Sequence, residues 1–113
     1  MERKLSTIFA SDVVGFSKMM AVNEEMTLKV LQQRRLVIDG VIAEHGGTIF
    51  GSAGDSVIAE FASPIKATEC AVQMQGKMQA MNEDVPEERK MVFRVGINIG
   101  DVMVSQDNLY GDA

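Results

Sequence analysis

Two short stretches of this sequence could carry chemistry. One is Phe9-Ala10-Ser11-Asp12-Val13-Val14-Gly15-Phe16-Ser17, where an acid follows a β-branched and aromatic run and precedes a glycine turn. The other is Gly54-Asp55-Ser56, an acid in a turn between two apolar runs. Carboxylates sharing a cleft repel each other unless a cation or proton lies between them, and an all-oxygen pair suits Mg²⁺ or Mn²⁺ bound together with phosphates. A pair of such ions can lower the pKa of an attacking hydroxyl and offset charge on a leaving pyrophosphate. The segment Val14-Gly15-Phe16-Ser17, entering a helix, offers backbone N–H groups to a phosphate. Each motif also has a plain reading, since Gly-Asp is a common turn and an acid after a strand is commonly a loop residue. Spacing alone leaves both readings open.

The elements that must position these residues follow from pattern. Leu5 to Ser11 is rich in β-branched and aromatic residues and predicts a buried strand, with a tight turn at Asp12 to Gly15. A short helix is predicted over Phe16 to Val22, then a long one capped by Asn23, with Glu24 and Glu25 at the positive end of its dipole. Val30, Leu31, Val37, Ile38, Val41 and Ile42 form its apolar stripe, interrupted by Arg34, and Gly46-Gly47 ends it. Thr48 to Phe50 and Ser56 to Phe61 predict a hairpin around the loop Gly51 to Asp55. Ser63-Pro64 opens another helix with Ala67, Cys70, Ala71, Met74, Met78 and Met81 at helical spacing. After a charged loop over 82–90, Met91 to Ile99 alternates as a strand, Gly100-Asp101 predicts a turn into Val102 to Val104, and 107–113 reads as a polar turn. The order predicts an α+β architecture of ferredoxin-like type, βααββαβ and incomplete.

The net charge of −5 opposes attraction to nucleic acid or to an anionic membrane surface. No run approaches the ~20 apolar residues of a membrane span, no signal-peptide core opens the chain, and the single cysteine, Cys70, fits a reducing, cytoplasmic setting. His45 reads as a helix-end residue and the methionine row as core.

The motifs together resemble the class III adenylate and guanylate cyclase catalytic domain. The opening pattern is followed in order by His45-Gly46-Gly47-Thr48-Ile49, by Ala53-Gly54-Asp55-Ser56-Val57-Ile58-Ala59-Glu60-Phe61, by Arg94-Val95-Gly96-Ile97-Asn98-Ile99-Gly100-Asp101-Val102, and by Leu109-Tyr110-Gly111-Asp112. The resemblance implies that residues 1–113 are the amino-terminal portion of one such domain. It implies two ions, Mg²⁺ or Mn²⁺, held by Asp12, Asp55 and the Val13 carbonyl, and a triphosphate held by the amides of Gly15, Phe16 and Ser17. The implied reaction is 3′,5′-cyclisation of ATP or GTP with release of pyrophosphate, in a homodimer whose sites lie between subunits.

The sequence departs from the family pattern in two places. Gly51 stands where many relatives have a base-reading lysine, leaving Asn108 as the second base-reading position. The Asn and Arg that orient the ribose and stabilise transition-state charge fall beyond Ala113, so no such catalytic residue lies within the chain, and an inactive fragment is expected. The alternative is a silent cyclase homology domain serving as a dimerisation or nucleotide-binding regulatory module. Retention of both aspartates weighs against it.

Overall fold

The computed structural model describes residues 2–105 and 108–111, with side chains over 4–101. The chain forms β1 (Glu2–Val13), α1 (Phe16–Val22), α2 (Glu24–Glu44), β2 (Thr48–Ala53), β3 (Ser56–Phe61), α3 (Pro64–Asn82), a single 3₁₀ turn (Glu87–Arg89), β4 (Phe93–Ser105) and β5 (Asn108–Gly111). The strands make one antiparallel sheet in the order β2-β3-β1-β4-β5. Its first four strands are the ferredoxin-like arrangement expected from the order of elements.

The helices pack on one face of the sheet, because alternation along each strand sends apolar side chains to that side. Phe9 and Val13 of β1, and Val57, Ala59 and Phe61 of β3, meet Ile38, Val41 and Ile42 of α2 and Cys70, Met74 and Met78 of α3 in one core. The rings of Phe9 and Phe61 tilt against each other with centroids 5.7 Å apart. Asn23 caps α2 as expected, its Oδ1 accepting from Met26 N–H at 3.0 Å. Ser63 caps α3. His45 ends α2 with its Nδ1 2.8 Å from the Val41 carbonyl, a structural role.

Arg34, the break in the α2 stripe, is buried at 3% exposure. Its Nη2 donates to Asn82 Oδ1 at 2.7 Å and its Nη1 to the carbonyls of Met78 and Met91. No carboxylate meets it among the described residues, and burial pulls its pKa down. Asn82 also holds the Met91 backbone at both N–H and C=O, so this polar cluster ties α2 and α3 to the segment just before β4.

Four boundaries differ from the sequence reading. Asp12 and Val13 lie in β1 rather than in a turn, because they pair with Arg94 and Phe93. β2 runs on through Gly51 to Ala53, with a bulge between Ile49 and Gly51, and the loop shrinks to Gly54-Asp55. Gly100-Asp101 does not turn: β1 continues to Glu2, giving Gly100 and Asp101 the partners Ser6 and Leu5, so β4 stays straight to Ser105. The polar turn expected over 107–113 is instead β5 where described, paired with β4. Asp107, Asp112 and Ala113 lie outside the described residues.

Candidate metal and phosphate site

β1 and β3 run antiparallel with Ser11 opposite Val57, so Asp12, near the end of β1, and Asp55, just before β3, reach the same end of the sheet. A hydrogen bond fixes the approach: Val13 N–H donates to Asp55 Oδ2 over 2.9 Å, hooking the hairpin tip onto β1. The tip is tight because Gly54 takes φ +57, a left-handed conformation that an L side chain disfavours. Alternation buries Ser11 and Val13 and turns Asp12 to the face away from the helices, where it is half-buried.

Arg94 is the cross-strand partner of Asp12. Its Nε donates to Asp12 Oδ1 at 2.8 Å and its Nη2 to Oδ2 at 3.1 Å, a bidentate pair on an open surface. The Asp12 hydrogen bonds, then the Asp12 charge, hold the guanidinium above its ordinary pKa; desolvation opposes them and the Asp55 charge adds to them. Ala10, Asp12, Ser56, Ile58, Arg94 and Gly96 line an open cleft of about 410 Å³ on this face. One buried hydroxyl beside it, Ser11 Oγ, has no hydrogen-bond partner.

Gly15 caps α1 at φ +67, and no capping side chain competes for the helix's first N–H groups. Gly15 and Ser17 are exposed and Phe16 is half-buried against the core. Gly51 pairs with Ile58, and a Cβ there would stand 3.5 Å from the Ile58 Cβ, an ordinary contact. The backbone has room for a side chain that the sequence omits. Asn108 opens β5 opposite Ser105, on the edge strand farthest from Gly51 in the sheet order.

The fold therefore brings Asp12, Val13 and Asp55 together, with Gly15 to Ser17 immediately beyond the same strand end, and leaves Gly51 and Asn108 on opposite edge strands. Sequence reading gave Arg94 no role. Its alternation with Phe93 and Val95 marks it as outward-facing, but only the β1–β4 register puts it on Asp12.

The donor set fits a hard dication. It is oxygen-only, already attracts one cationic group, and among the described residues no third His, Cys, Asp or Glu completes a ligand cluster. The Val13 carbonyl, water and phosphate oxygens would supply the remaining ligands, as Mg²⁺ prefers.

The chain is similar to known cyclase domains. Residues 2–109 match the family described as Adenylate and Guanylate cyclase catalytic domain. The chain is 42% identical, over 97% of its length, to the "Putative adenylate cyclase 3" of Rhizobium meliloti (strain 1021), but spans only 19% of that protein. Among solved structures it matches the adenylate/guanylate cyclase/hydrolase from Silicibacter pomeroyi with a TM-score of 0.86 at 38% identity, covering 98% of this chain and 65% of that one. The guanylyl cyclase Cya2 matches with a TM-score of 0.78 at 29% identity, covering 98% and 64%.

Proposed function

We propose that this chain, which belongs to the adenylate and guanylate cyclase catalytic domain family, supplies the metal- and triphosphate-binding part of a site that converts ATP or GTP to 3′,5′-cyclic nucleotide and pyrophosphate. The observation that supports it is the hook from Val13 N–H to Asp55 Oδ2, which sets a second carboxylate beside Asp12 at the mouth of an open cleft. Bound Mg²⁺ or Mn²⁺ ions would activate the ribose 3′-oxygen and offset charge on the leaving group. Asp12, Asp55 and the Val13 carbonyl hold those ions. The amides of Gly15, Phe16 and Ser17 hold phosphate oxygens at the start of α1, and Arg94 adds a planar cation suited to the same anion. Gly51 makes no side-chain contact with a base, so discrimination between ATP and GTP falls to Asn108 and is weak.

In the working homodimer one subunit presents this cluster and the other presents base and ribose contacts. The 113 residues alone lack the Asn and Arg expected of that second half, and turnover by them is reduced by roughly 10²-fold or more. The test is cyclic nucleotide production with Mn²⁺ and ATP or GTP. It compares the chain, the chain lengthened at Ala113 with the corresponding segment of the Silicibacter protein, and the lengthened chain carrying Asp12→Asn. Product from the lengthened chain that disappears with Asp12→Asn supports the reading. A lengthened chain that binds Mn²⁺–nucleotide but forms no product favours the silent homology domain.

A further inference from the structure

We propose that Gln75 and Asn82 of α3 are positioning residues for the metal site: they clamp the chain on either side of Val92, whose carbonyl sets the peptide plane that carries the Val13 carbonyl. The inference rests on the metal reading above and adds two residues, remote from the cleft, that act on it through the backbone.

Val14 N–H donates to the Val92 carbonyl over 2.8 Å, one residue past the last paired residues of β1 and β4, Val13 and Phe93. A peptide unit is planar and trans, so its N–H and its C=O point in opposite directions. Fixing the Val14 N–H on Val92 therefore turns the Val13 C=O away from β4, toward the side on which Val13 N–H meets Asp55 Oδ2. A ligand shared with Asp55 needs that orientation. How firmly it is held depends on how firmly Val92 is held.

Val92 lies just before β4, and two side chains of α3 take hold of its neighbours. Asn82 closes on both backbone groups of Met91, its Oδ1 accepting from the N–H at 3.1 Å and its Nδ2 donating to the carbonyl at 2.9 Å. Gln75 Nε2 donates to the Phe93 carbonyl at 2.8 Å. The two amides stand about two helical turns apart, and so on one face of α3. Arg34 Nη2 donates to the same Asn82 Oδ1 at 2.7 Å, which leaves the Asn82 amide one orientation, oxygen accepting and nitrogen donating. Neither Gln75 nor Asn82 lines the cleft at Asp12. Their influence on it runs through Val92 and Val14. A small cation makes such positioning consequential: Mg²⁺ demands near-octahedral geometry, and groups that orient a ligand from behind are worth roughly 10- to 100-fold in metal affinity.

The test measures Mn²⁺ affinity by electron paramagnetic resonance for the chain, Gln75→Ala, Asn82→Ala and Asp12→Asn. Val41→Ala, a truncation of a buried α2 residue that takes no part in the clamp, controls for lost stability. All are held at a temperature at which circular dichroism shows them folded. In the metal-free proteins, hydrogen exchange of the Val14 amide is followed relative to that of Ala10, which pairs with Gly96 in the middle of the same strands. Asn82→Ala is expected to weaken Mn²⁺ binding roughly 10-fold and to speed Val14 exchange relative to Ala10. Gln75→Ala, which keeps the grip on Met91, moves both readouts the same way by a smaller factor, and Val41→Ala moves neither. If Asn82→Ala does not fold, Gln75→Ala decides alone. Mn²⁺ bound by the clamp variants as tightly as by Val41→Ala, or an unchanged Val14 to Ala10 exchange ratio, overturns the positioning role and leaves the metal reading standing. Mn²⁺ binding unaffected by Asp12→Asn overturns the metal reading and this inference with it.

Discussion

Gly47 offers a sharp test of how the hairpin that carries Asp55 is seated. A Cβ added there would meet Phe61 Cζ at 2.6 Å, Phe61 Cε2 at 2.7 Å and Ile42 Cγ2 at 2.7 Å, all well inside ordinary contact. Neither neighbour can retreat easily. Phe61 is fully buried against the Phe9 ring and Ile42 is 1% exposed in the α2 stripe. Gly47→Ala should therefore destabilise by roughly 1–3 kcal/mol through overpacking. Two of the three clashing atoms belong to the Phe61 ring, so trimming that ring should relieve much of the cost. In a double-mutant cycle with Phe61→Leu, the penalty of Gly47→Ala should fall by about 1 kcal/mol or more. Urea unfolding measures it: at a slope of about 1–1.5 kcal/mol per molar, a 2 kcal/mol loss moves the midpoint by roughly 1.5 M. Strict additivity of the two substitutions, or a Gly47→Ala cost below about 0.5 kcal/mol, would refute the close seating of Gly47 on Phe61.

Three further outcomes are expected. Burial pushes the Cys70 thiol from 9.0 up to about 11. Because the folded value is raised, the associated stability is complete below pH 9.0 and lost as pH climbs through 11, so stability of the parent should fall by on the order of 2 kcal/mol across that window, more than in Cys70→Ala followed by chemical denaturation at each pH. Ser11→Ala removes a buried hydroxyl that has no partner, and should leave the melting temperature unchanged or raise it by a few degrees, since an unsatisfied buried polar group costs about 1–3 kcal/mol. Asn82→Ala strips the hydrogen bonds that join Arg34 and both backbone groups of Met91, and should cost roughly 2–4 kcal/mol in urea titrations, with Asn82→Ser recovering little because a hydroxyl cannot reach all of those partners.

Local chemistry made most of the fold legible. Asn23 and Ser63 announce α2 and α3, and the strict alternation of Val57, Ala59 and Phe61 announces β3. What failed was long-range pairing. Gly100-Asp101 carries a strong turn signal, but the partner that keeps it extended, Leu5-Ser6, lies far away in sequence. The same blindness hid Arg94 from the site: nothing near residue 94 in sequence points to Asp12. Arg34 was visible as a flaw in an apolar stripe, yet its resolution through Asn82 and the carbonyls of Met78 and Met91 required the packing of α2 on α3. Asp12 and Asp55 stood out in the sequence as acids at the edges of apolar runs, whereas the hydrogen bond that hooks Asp55 onto β1 was not legible there.

The most direct test of the central claim is the melting temperature of the chain with Mn²⁺ plus a non-cyclisable ATP or GTP analogue, against Asp12→Asn and Asp55→Asn. At about 100 times the dissociation constant, a ligand that binds only the folded state adds ~2.7 kcal/mol, which for a domain of this size raises the midpoint by roughly 10 °C or more. The account expects that rise in the parent, dependent on Mn²⁺, and its loss in both variants. A parent that shows no rise, or a rise that survives both substitutions, would contradict a metal–triphosphate site at Asp12 and Asp55.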